Sequence, residues 1–90
     1  LTDTRNCAKC DLAGANLTGM QLQGANLAGA DLSGASLYTA NLAQADLTGA
    51  NLDGAVLYGA NMTASVGASL GNAKTDSRTI CPNAKKGPCQ

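Results

Sequence analysis

The sequence has no histidine, glutamate, phenylalanine or tryptophan. Without histidine and glutamate, the chain lacks the most common general base, the most common neutral metal ligand and one of the two usual carboxylic acids. We therefore predict a protein that is not an enzyme, with no catalytic residue, no cofactor and no metal site. The only aromatic residues are Tyr38 and Tyr58, and 90 residues form one domain at most. A conventional globular core is excluded.

Basic residues are missing from the middle of the chain. Between residues 11 and 73 the only charged side chains are aspartates, while all 6 lysines and arginines lie in the two flanks and the formal net charge is zero. This balance favours no nucleic-acid partner. No run approaches the ~18 apolar residues of a membrane span, and no signal-peptide pattern is visible. Because the sequence starts at Leu1, a leader that has been removed stays an open alternative.

A five-residue repeat occupies most of the chain. Its central residue is leucine in ten successive repeats and methionine in the next. Alanine comes two residues earlier in nine of these eleven repeats, asparagine or aspartate one residue earlier in eight, and glycine two residues later in eight. The consensus is Ala-Asn/Asp-Leu-x-Gly. We predict that the central residues form the structural core. They are Leu12, Leu17, Leu22, Leu27, Leu32, Leu37, Leu42, Leu47, Leu52, Leu57 and Met62.

A period of five fits neither a helix nor a strand. Every fifth residue of a helix advances by about 140°, and in a strand it alternates between faces. If all the leucines point inward, the backbone must turn once per repeat, and glycine with asparagine or aspartate tolerates the turn conformation. The asparagine or aspartate residues that precede the central leucines form one set, which we call the Asn/Asp column. This column is predicted to form the turns and not a calcium site, because it lacks the spacing of a calcium-binding loop.

The exceptions to the consensus indicate how many repeats make one coil. Tyr38 and Tyr58 occupy the same repeat position 20 residues apart, and Ser36 and Val56, which interrupt the Asn/Asp column, are also 20 apart. Residues one coil apart must stack, so four repeats per coil are favoured. Tyr38 and Tyr58 then share one outer face, where they fill a flat surface or form an interface.

Residues 10–64 resemble the pentapeptide-repeat family on the strength of these in-phase repeats. The resemblance implies an all-β solenoid, a right-handed quadrilateral β-helix, here of about 3.5 coils. We expect an N-terminal cap at residues 1–9, the β-helix at 10–64, a loop and the last irregular repeats at 65–80, and a C-terminal cap at 81–90. A loop is predicted from Ala64 to Gly67, and Arg78-Thr-Ile80 is predicted as a last repeat.

Four cysteines lie in two pairs near the termini. Cys81 and Cys89 enclose a Pro/Gly turn, where a disulfide would contribute ~2.5 kcal/mol by loop entropy; a Cys7–Cys10 bridge is a second expectation. A shared zinc site is disfavoured because the pairs would lie roughly 15 Å apart at ~4.8 Å per coil. A thioredoxin-like role lacks its βαβ context and stays a minor alternative.

The leading functional hypothesis is a structural or protein-binding module with an unidentified protein partner, present as a monomer or a weak dimer. Some larger members of the family mimic DNA and inhibit type II topoisomerases, which is the alternative that the resemblance implies. The few carboxylates and the short coil stack argue against it. Small members of this sort look like those of cyanobacteria and the chloroplast lumen, and the cysteines favour an oxidising compartment, so we expect the periplasm or the thylakoid lumen.

Overall fold

The computed structural model describes residues 6–67, 70 and 73–81. Within these ranges the chain has no helix and no strand longer than one residue; it consists of isolated parallel β-bridges separated by turns. Each repeat uses two of its five residues in a turn, so only one residue per side is bridged to the neighbouring coils. The bridged pairs are Asn6–Asn26, Asp11–Asp31, Asn16–Ser36, Gln21–Asn41, Asn26–Asp46, Asp31–Asn51, Ser36–Val56, Asn41–Asn61, Asp46–Val66, Val56–Lys74 and Asn61–Ile80.

The register of these bridges defines a four-sided coil. From Asn6 to Val66 every bridge joins residues 20 positions apart, as the spacing of the two tyrosines predicts. The bridges are accompanied by backbone hydrogen bonds between coils. For example, the N–H of Leu32 donates to the carbonyl of Asn51 in the next coil, at 2.8 Å. Four repeats with one turn each therefore close one coil, and successive coils stack in parallel.

Each central leucine begins a β-turn. In the turn from Leu32 to Ala35, the N–H of Ala35 donates to the carbonyl of Leu32 at 3.0 Å, and Gly34 has a φ of 66°. A positive φ at only the third residue is the type II turn, so glycine recurs two residues after the leucine. Four turns hold a residue with a side chain in this left-handed conformation, at Lys9, Thr39, Gln44 and Ala64.

The Asn/Asp column supports the same turns from outside. The Oδ1 atom of Asp31 accepts a hydrogen bond from the N–H of Ser33 at 3.0 Å. This Asx arrangement satisfies a backbone donor at the corner without a neighbouring coil. The same bond, to the N–H two residues later, is made by Asp11, Asn16, Asn26, Asn41, Asp46, Asn51 and Asn61.

The central residues of the repeats fill the interior of the coil. From Leu22 to Met62, every predicted core position is at most 2% exposed, and Leu17 is also buried. Leu12 differs from the prediction because it is only half-buried. It lies in the first described coil, where the next coil covers it on one side.

The repeat register begins before the predicted boundary at residue 10. Asn6 is bridged to Asn26, and the N–H of Cys7 donates to the carbonyl of Asn26 at 2.7 Å. Cys7 therefore occupies an inward position one coil before Leu27, and it is buried in the same core. Residues 6–9 are a repeat and not part of a separate cap. Sequence reasoning missed this repeat because a cysteine stands where leucine was expected.

The regular register also extends past Ala64. The N–H of Ser65 donates to the carbonyl of Met62 at 3.0 Å, which closes an ordinary turn, and Val66 is bridged to Asp46. The prediction of a loop from Ala64 to Gly67 is therefore wrong for its first three residues. The departure begins at Gly67, where a backbone with positive φ lies against Thr48.

The last described coil is shortened, and one predicted repeat is out of phase. Lys74 is bridged to Val56 at a spacing of 18 residues, and Ile80 to Asn61 at a spacing of 19. Ile80 therefore takes an outer position, whereas Thr79 and Cys81 are buried. The repeat is Thr79-Ile80-Cys81, one residue later than the predicted Arg78-Thr-Ile80. The predicted cap at 81–90 lies outside the described residues after Cys81. Among the described residues, no helix is long and apolar enough to cross a membrane.

Candidate binding face

Two outward positions flank each central leucine, so every side of the coil presents stacked rows of two side chains. The side that carries both tyrosines has four described rows, and we call it the tyrosine face. Its third and fourth rows are held together by the bridge between Val56 and Lys74. The rows are Asn16 and Thr18, Ser36 and Tyr38, Val56 and Tyr58, and Lys74 and Asp76.

The two tyrosines form an aromatic pair at the centre of this face. Their ring centroids are 5.6 Å apart with an interplanar angle of 71°, an edge-to-face arrangement. Such pairs contribute about 0.5–1.5 kcal/mol beyond their buried area. Tyr38 nevertheless stays 41% exposed, while Tyr58 is half-buried. The sequence-based prediction that they share one outer face agrees with this geometry, and the pair leaves aromatic surface available to a partner.

Hydroxyl groups and small side chains surround the tyrosines. The hydroxyl groups of Thr18 and Ser36 are hydrogen-bonded across adjacent rows at 3.0 Å. Thr39 hydrogen-bonds through its hydroxyl to the carbonyl of Tyr38 at 2.6 Å. These contacts satisfy the polar groups next to the rings within the face itself. The first three rows therefore combine aromatic area with hydrogen-bonding groups and no charge.

Asp76 closes the tyrosine face at its last described row. In earlier coils the N–H of Gly19 donates to the carbonyl of Tyr38 at 2.8 Å, and the N–H of Thr39 to the carbonyl of Tyr58 at 2.9 Å. One coil further, the N–H of Gly59 donates instead to Oδ1 of Asp76 at 3.2 Å. Where the shortened coil has lost the regular register, a carboxylate oxygen thus replaces the backbone carbonyl as the acceptor in this series of hydrogen bonds between coils.

A second set of bonds ties Asp76 to the buried Thr79. The hydroxyl of Thr79 donates to the carbonyl of Leu57 at 2.7 Å and accepts from the N–H of Asp76 at 3.1 Å. Arg78 adds an ion pair to Oδ2 of Asp76 at 2.9 Å. Sequence reasoning did not identify this network. An aspartate three residues before a threonine is a local turn signal that could have indicated it.

The network lowers the pKa of the Asp76 carboxyl group to about 2 from its usual 3.8. Partial burial by itself would raise this pKa, but the hydrogen bonds from the Arg78 side chain and from the N–H groups of Arg78 and Gly59 outweigh it. A lowered pKa stabilises the folded protein at pH values above 3.8. This contribution is lost as the pH falls from 3.8 through about 2.

We expect Asp76→Asn to weaken the pH dependence of stability in this window. The variant keeps an oxygen for the Gly59 N–H but carries no carboxyl group to titrate, so its thermal midpoint should fall less than that of the wild type between pH 4 and about 2. Asp11→Asn, which likewise keeps its oxygen for the Ala13 N–H, is the matched control. Equal acid sensitivity of Asp76→Asn and the wild type, measured by thermal melts, would contradict the assignment.

The aspartates of residues 11–73 are confined to two of the four sides. Asp11, Asp31 and Asp53 lie on a side next to the tyrosine face, and Asp46 lies on the side opposite to it. The fourth side, formed around residues 21–24, 41–44 and 61–64, has no charged residue. The first three rows of the tyrosine face and this fourth side together form an uncharged half of the solenoid.

Three of the four aspartates of the other half, Asp11, Asp31 and Asp46, accept a hydrogen bond within their own turns. The hydroxyl of Ser33 and then its N–H lower the pKa of Asp31, and Thr48 does the same to Asp46 through its side chain and N–H. No group of three or more acidic or cysteine side chains is placed to hold a metal ion in the part of the chain that the structure describes. The carboxylates of Asp11, Asp31 and Asp46 are therefore turn-forming groups in this structure.

Cys7 and Cys10 form a disulfide across the first described turn. Their Cα atoms are 5.1 Å apart, and the N–H of Cys10 also donates to the carbonyl of Cys7 at 3.0 Å. This turn has Lys9 and not glycine in the left-handed position, with a φ of 61°. The covalent link therefore fixes a corner whose backbone conformation is unfavourable for a residue with a side chain.

Cys81 is also in a disulfide. Its predicted partner, Cys89, lies outside the described residues, so the Cys81–Cys89 pairing stays a prediction. Cys7 and Cys81 are both buried at inward positions of the repeat. In the described chain the cysteines therefore act as cross-linked core residues, and a zinc site or an exposed reactive thiol finds no support in their placement.

Comparison with known proteins identifies the repeat. The family model for pentapeptide repeats matches residues 6–38 and 35–65, with 8 copies. A pentapeptide repeat protein, Rfr23, from the cyanobacterium Cyanothece 51142 has a TM-score of 0.73 and 35% sequence identity, covering 82% of this chain and 52% of that protein. The present chain thus spans about half the length of this solved relative. A search of curated proteins found no match.

A second solved structure shows how widely the fold is shared. A trypsin-treated form of QnrB1, a plasmid-mediated fluoroquinolone resistance protein, has a TM-score of 0.62 at 19% identity, covering 79% of this chain and 38% of that protein. At this identity the likeness shows the fold alone. The fold of these neighbours is the right-handed quadrilateral β-helix. With its in-phase repeats, its 20-residue coil and the matching family model, the chain belongs to the pentapeptide repeat family.

Proposed function

We propose that this chain is a non-catalytic protein-binding module that presents the tyrosine face to a protein partner. The observation that carries the proposal is the aromatic pair of the exposed Tyr38 and the half-buried Tyr58, on a side without charge in its first three rows. Aromatic enrichment and depletion of charge distinguish the centre of protein interfaces from other surfaces. A right-handed stack of about three and a half coils supplies a rigid platform for it.

The interior of the coil supports a role without catalysis. Leucine and alanine fill it, and residues such as Leu42 and Ala45 are fully buried. Substrate sites are concave and combine apolar walls with convergent polar groups, whereas a filled coil presents flat sides. The sequence also has neither histidine nor glutamate to activate a nucleophile.

The alternative, a DNA-mimic inhibitor of type II topoisomerase, is less well supported. A duplex carries one charge per ~1.7 Å, hence about three over the ~4.8 Å rise of one coil. Residues 11–73 hold four carboxylates in total, and they lie on two sides of the solenoid. The charge density along the stack is therefore well below that of DNA, and we propose no nucleic-acid mimicry.

We also propose an oxidising compartment, the periplasm or the thylakoid lumen. The support is the Cys7–Cys10 disulfide, together with the second disulfide at Cys81 that we assign to Cys89. Structural disulfides persist where thiols are not kept reduced. The likeness to a cyanobacterial protein is consistent with such a source.

Affinity capture from a native lysate tests the binding role. We expect the wild-type chain to retain a defined protein that Tyr38→Ser/Tyr58→Ser does not retain, because the aromatic pair carries most of the contact energy. The matched control is Ala28→Ser/Thr48→Ser, which changes the same repeat position on the opposite side and should capture the protein normally. Identical recovery by the wild type and the tyrosine variant would contradict the proposal.

A further inference from the structure

The first described repeat, residues 6–10, lies at one edge of the described stack, and we call it the edge repeat. Among the described residues it is bridged to a single coil, through Asn6 and Asn26. The N–H groups of Cys7 and Lys9 donate to carbonyls of that coil at 2.7 and 2.9 Å. A repeat inside the stack has such bonds to a coil on each side. The edge repeat therefore has less backbone support than an inner repeat.

The turn of the edge repeat is also unfavourable by itself. Lys9 holds the left-handed position with a φ of 61°, where the consensus has glycine. Thr39 and Gln44 adopt similar conformations, but their turns lie inside the stack and are hydrogen-bonded to coils on both sides. At the edge, the Cys7–Cys10 disulfide closes the turn covalently. The bond thus holds a corner that the backbone alone would hold less firmly.

The edge repeat covers the apolar interior of the next coil. Cys7 stands at the leucine position one coil before Leu27, and Cys10 stands at the alanine position one coil before Ala30. Leu27 and Ala30 are fully buried, and the N–H of Asp31 donates to the carbonyl of Cys10 at 2.9 Å. If the edge repeat leaves the stack, Leu27 and Ala30 lose their cover and the N–H of Asp31 loses its acceptor.

We propose that the Cys7–Cys10 disulfide is a redox switch that holds the edge repeat in the stack. Reduction of this bond opens the edge repeat and exposes Leu27 and Ala30, while the coils beyond keep their register. In the oxidising compartment proposed above the bond is closed, and a protein or small molecule with two thiols opens it. The inference does not depend on the tyrosine face, because the edge repeat belongs to the opposite side of the coil.

The switch operates by thiol–disulfide exchange with a dithiol. A thiolate of the dithiol attacks the sulfur of Cys10, which is half-buried, whereas Cys7 is only 6% exposed. The S–S bond breaks, and Cys7 leaves as a thiolate that takes a proton from water. The second thiol of the dithiol, after losing its proton, displaces the sulfur of Cys10, which is protonated in turn. Two electrons pass to the protein, and the dithiol becomes a disulfide.

Hydrogen exchange followed by NMR tests the switch, with dithiothreitol as the dithiol. We expect the amides of Lys9 and Asp31 to exchange at least about tenfold faster in the reduced chain than in the oxidised chain, because their hydrogen bonds join the edge repeat to the next coil. The amide of Leu42, in the middle of the stack, should keep its chemical shift and exchange more slowly than both. Cys7→Ser/Cys10→Ser, which cannot form the bond, should behave like the reduced wild type without any reductant.

Cys7→Leu/Cys10→Ala is the matched control. It restores the consensus residues at both positions and leaves Cys81, with its own disulfide, unchanged. Its Lys9 and Asp31 amides should exchange at the same rate with and without dithiothreitol, because no bond in its edge repeat can be reduced.

Three outcomes would overturn the redox switch. The first is equal exchange at Lys9 and Asp31 in the oxidised and the reduced wild type. The second is an effect of dithiothreitol that the matched control shows as well, because the cause would then be the disulfide of Cys81. The third is loss of the native Leu42 signal on reduction, because the whole solenoid and not the edge repeat would then unfold.

Discussion

Leu42→Ala is expected to lower the free energy of unfolding by about 2–5 kcal/mol. Leu42 is fully buried, and it lies between Leu22 and Met62 in one inward column of the coil. The substitution removes buried methyl groups and leaves a cavity, and backbone hydrogen bonds to the coils on both sides limit how far the site can collapse. Thermal or denaturant melts at a low protein concentration measure the change.

Tyr38→Ala is the comparison for this prediction. Tyr38 is 41% exposed and its ring contacts Tyr58 only edge to face, so its removal should cost about 1–2 kcal/mol, less than the loss of Leu42. The inward leucine column, and not the aromatic pair, then provides most of the stability. The opposite order of the two effects would show that the leucines do not form the principal core.

Gly67→Ala is expected to destabilise the protein by about 2–4 kcal/mol, the sum of a left-handed backbone and a steric collision. Gly67 has a φ of 72°, and a Cβ atom there would lie 2.7 Å from the Cα atom and 3.0 Å from the N atom of Thr48. Backbone atoms cannot move aside as a flexible side chain can. This contact occurs where the coil leaves its 20-residue register, so the glycine lets the chain cross closely over the coil below.

Gly54→Ala separates the two causes. Gly54 has nearly the same φ, 70°, but its nearest neighbours would be backbone atoms of Gly34 at 3.9 and 4.0 Å, an ordinary contact distance. Only the cost of the left-handed conformation remains, about 1–2 kcal/mol. Melts that showed equal losses for both variants would contradict a steric role for Gly67.

The repeat was predictable because every element of it is local. The period of five, the glycine two residues after the leucine and the preceding Asn or Asp each satisfy a requirement within a few residues: an inward side chain, a positive φ and a partner for a turn N–H. The 20-residue coil followed from the paired exceptions at Tyr38 and Tyr58. These features need no knowledge of distant contacts.

The predictions were wrong where the pattern no longer repeats. The loop predicted from Ala64 to Gly67 includes Val66, although Val66 keeps the regular register and is bridged to Asp46. The predicted repeat Arg78-Thr-Ile80 puts Ile80 in the inward position, yet the buried positions belong to Thr79 and Cys81. Once a coil changes its length, local spacing no longer reports which residue lies over which.

The sequence by itself determined the family, the inward leucine column, the turn chemistry and the shared face of the two tyrosines, since regular stacking converts sequence spacing directly into position. Only the tertiary structure decided how the irregular end is joined to the solenoid. There, Asp76 supplies a side-chain oxygen for a lost backbone carbonyl, and Thr79 is buried against Leu57. Such contacts depend on a shortened coil meeting the regular coil before it in space, and spacing along the chain does not encode that meeting.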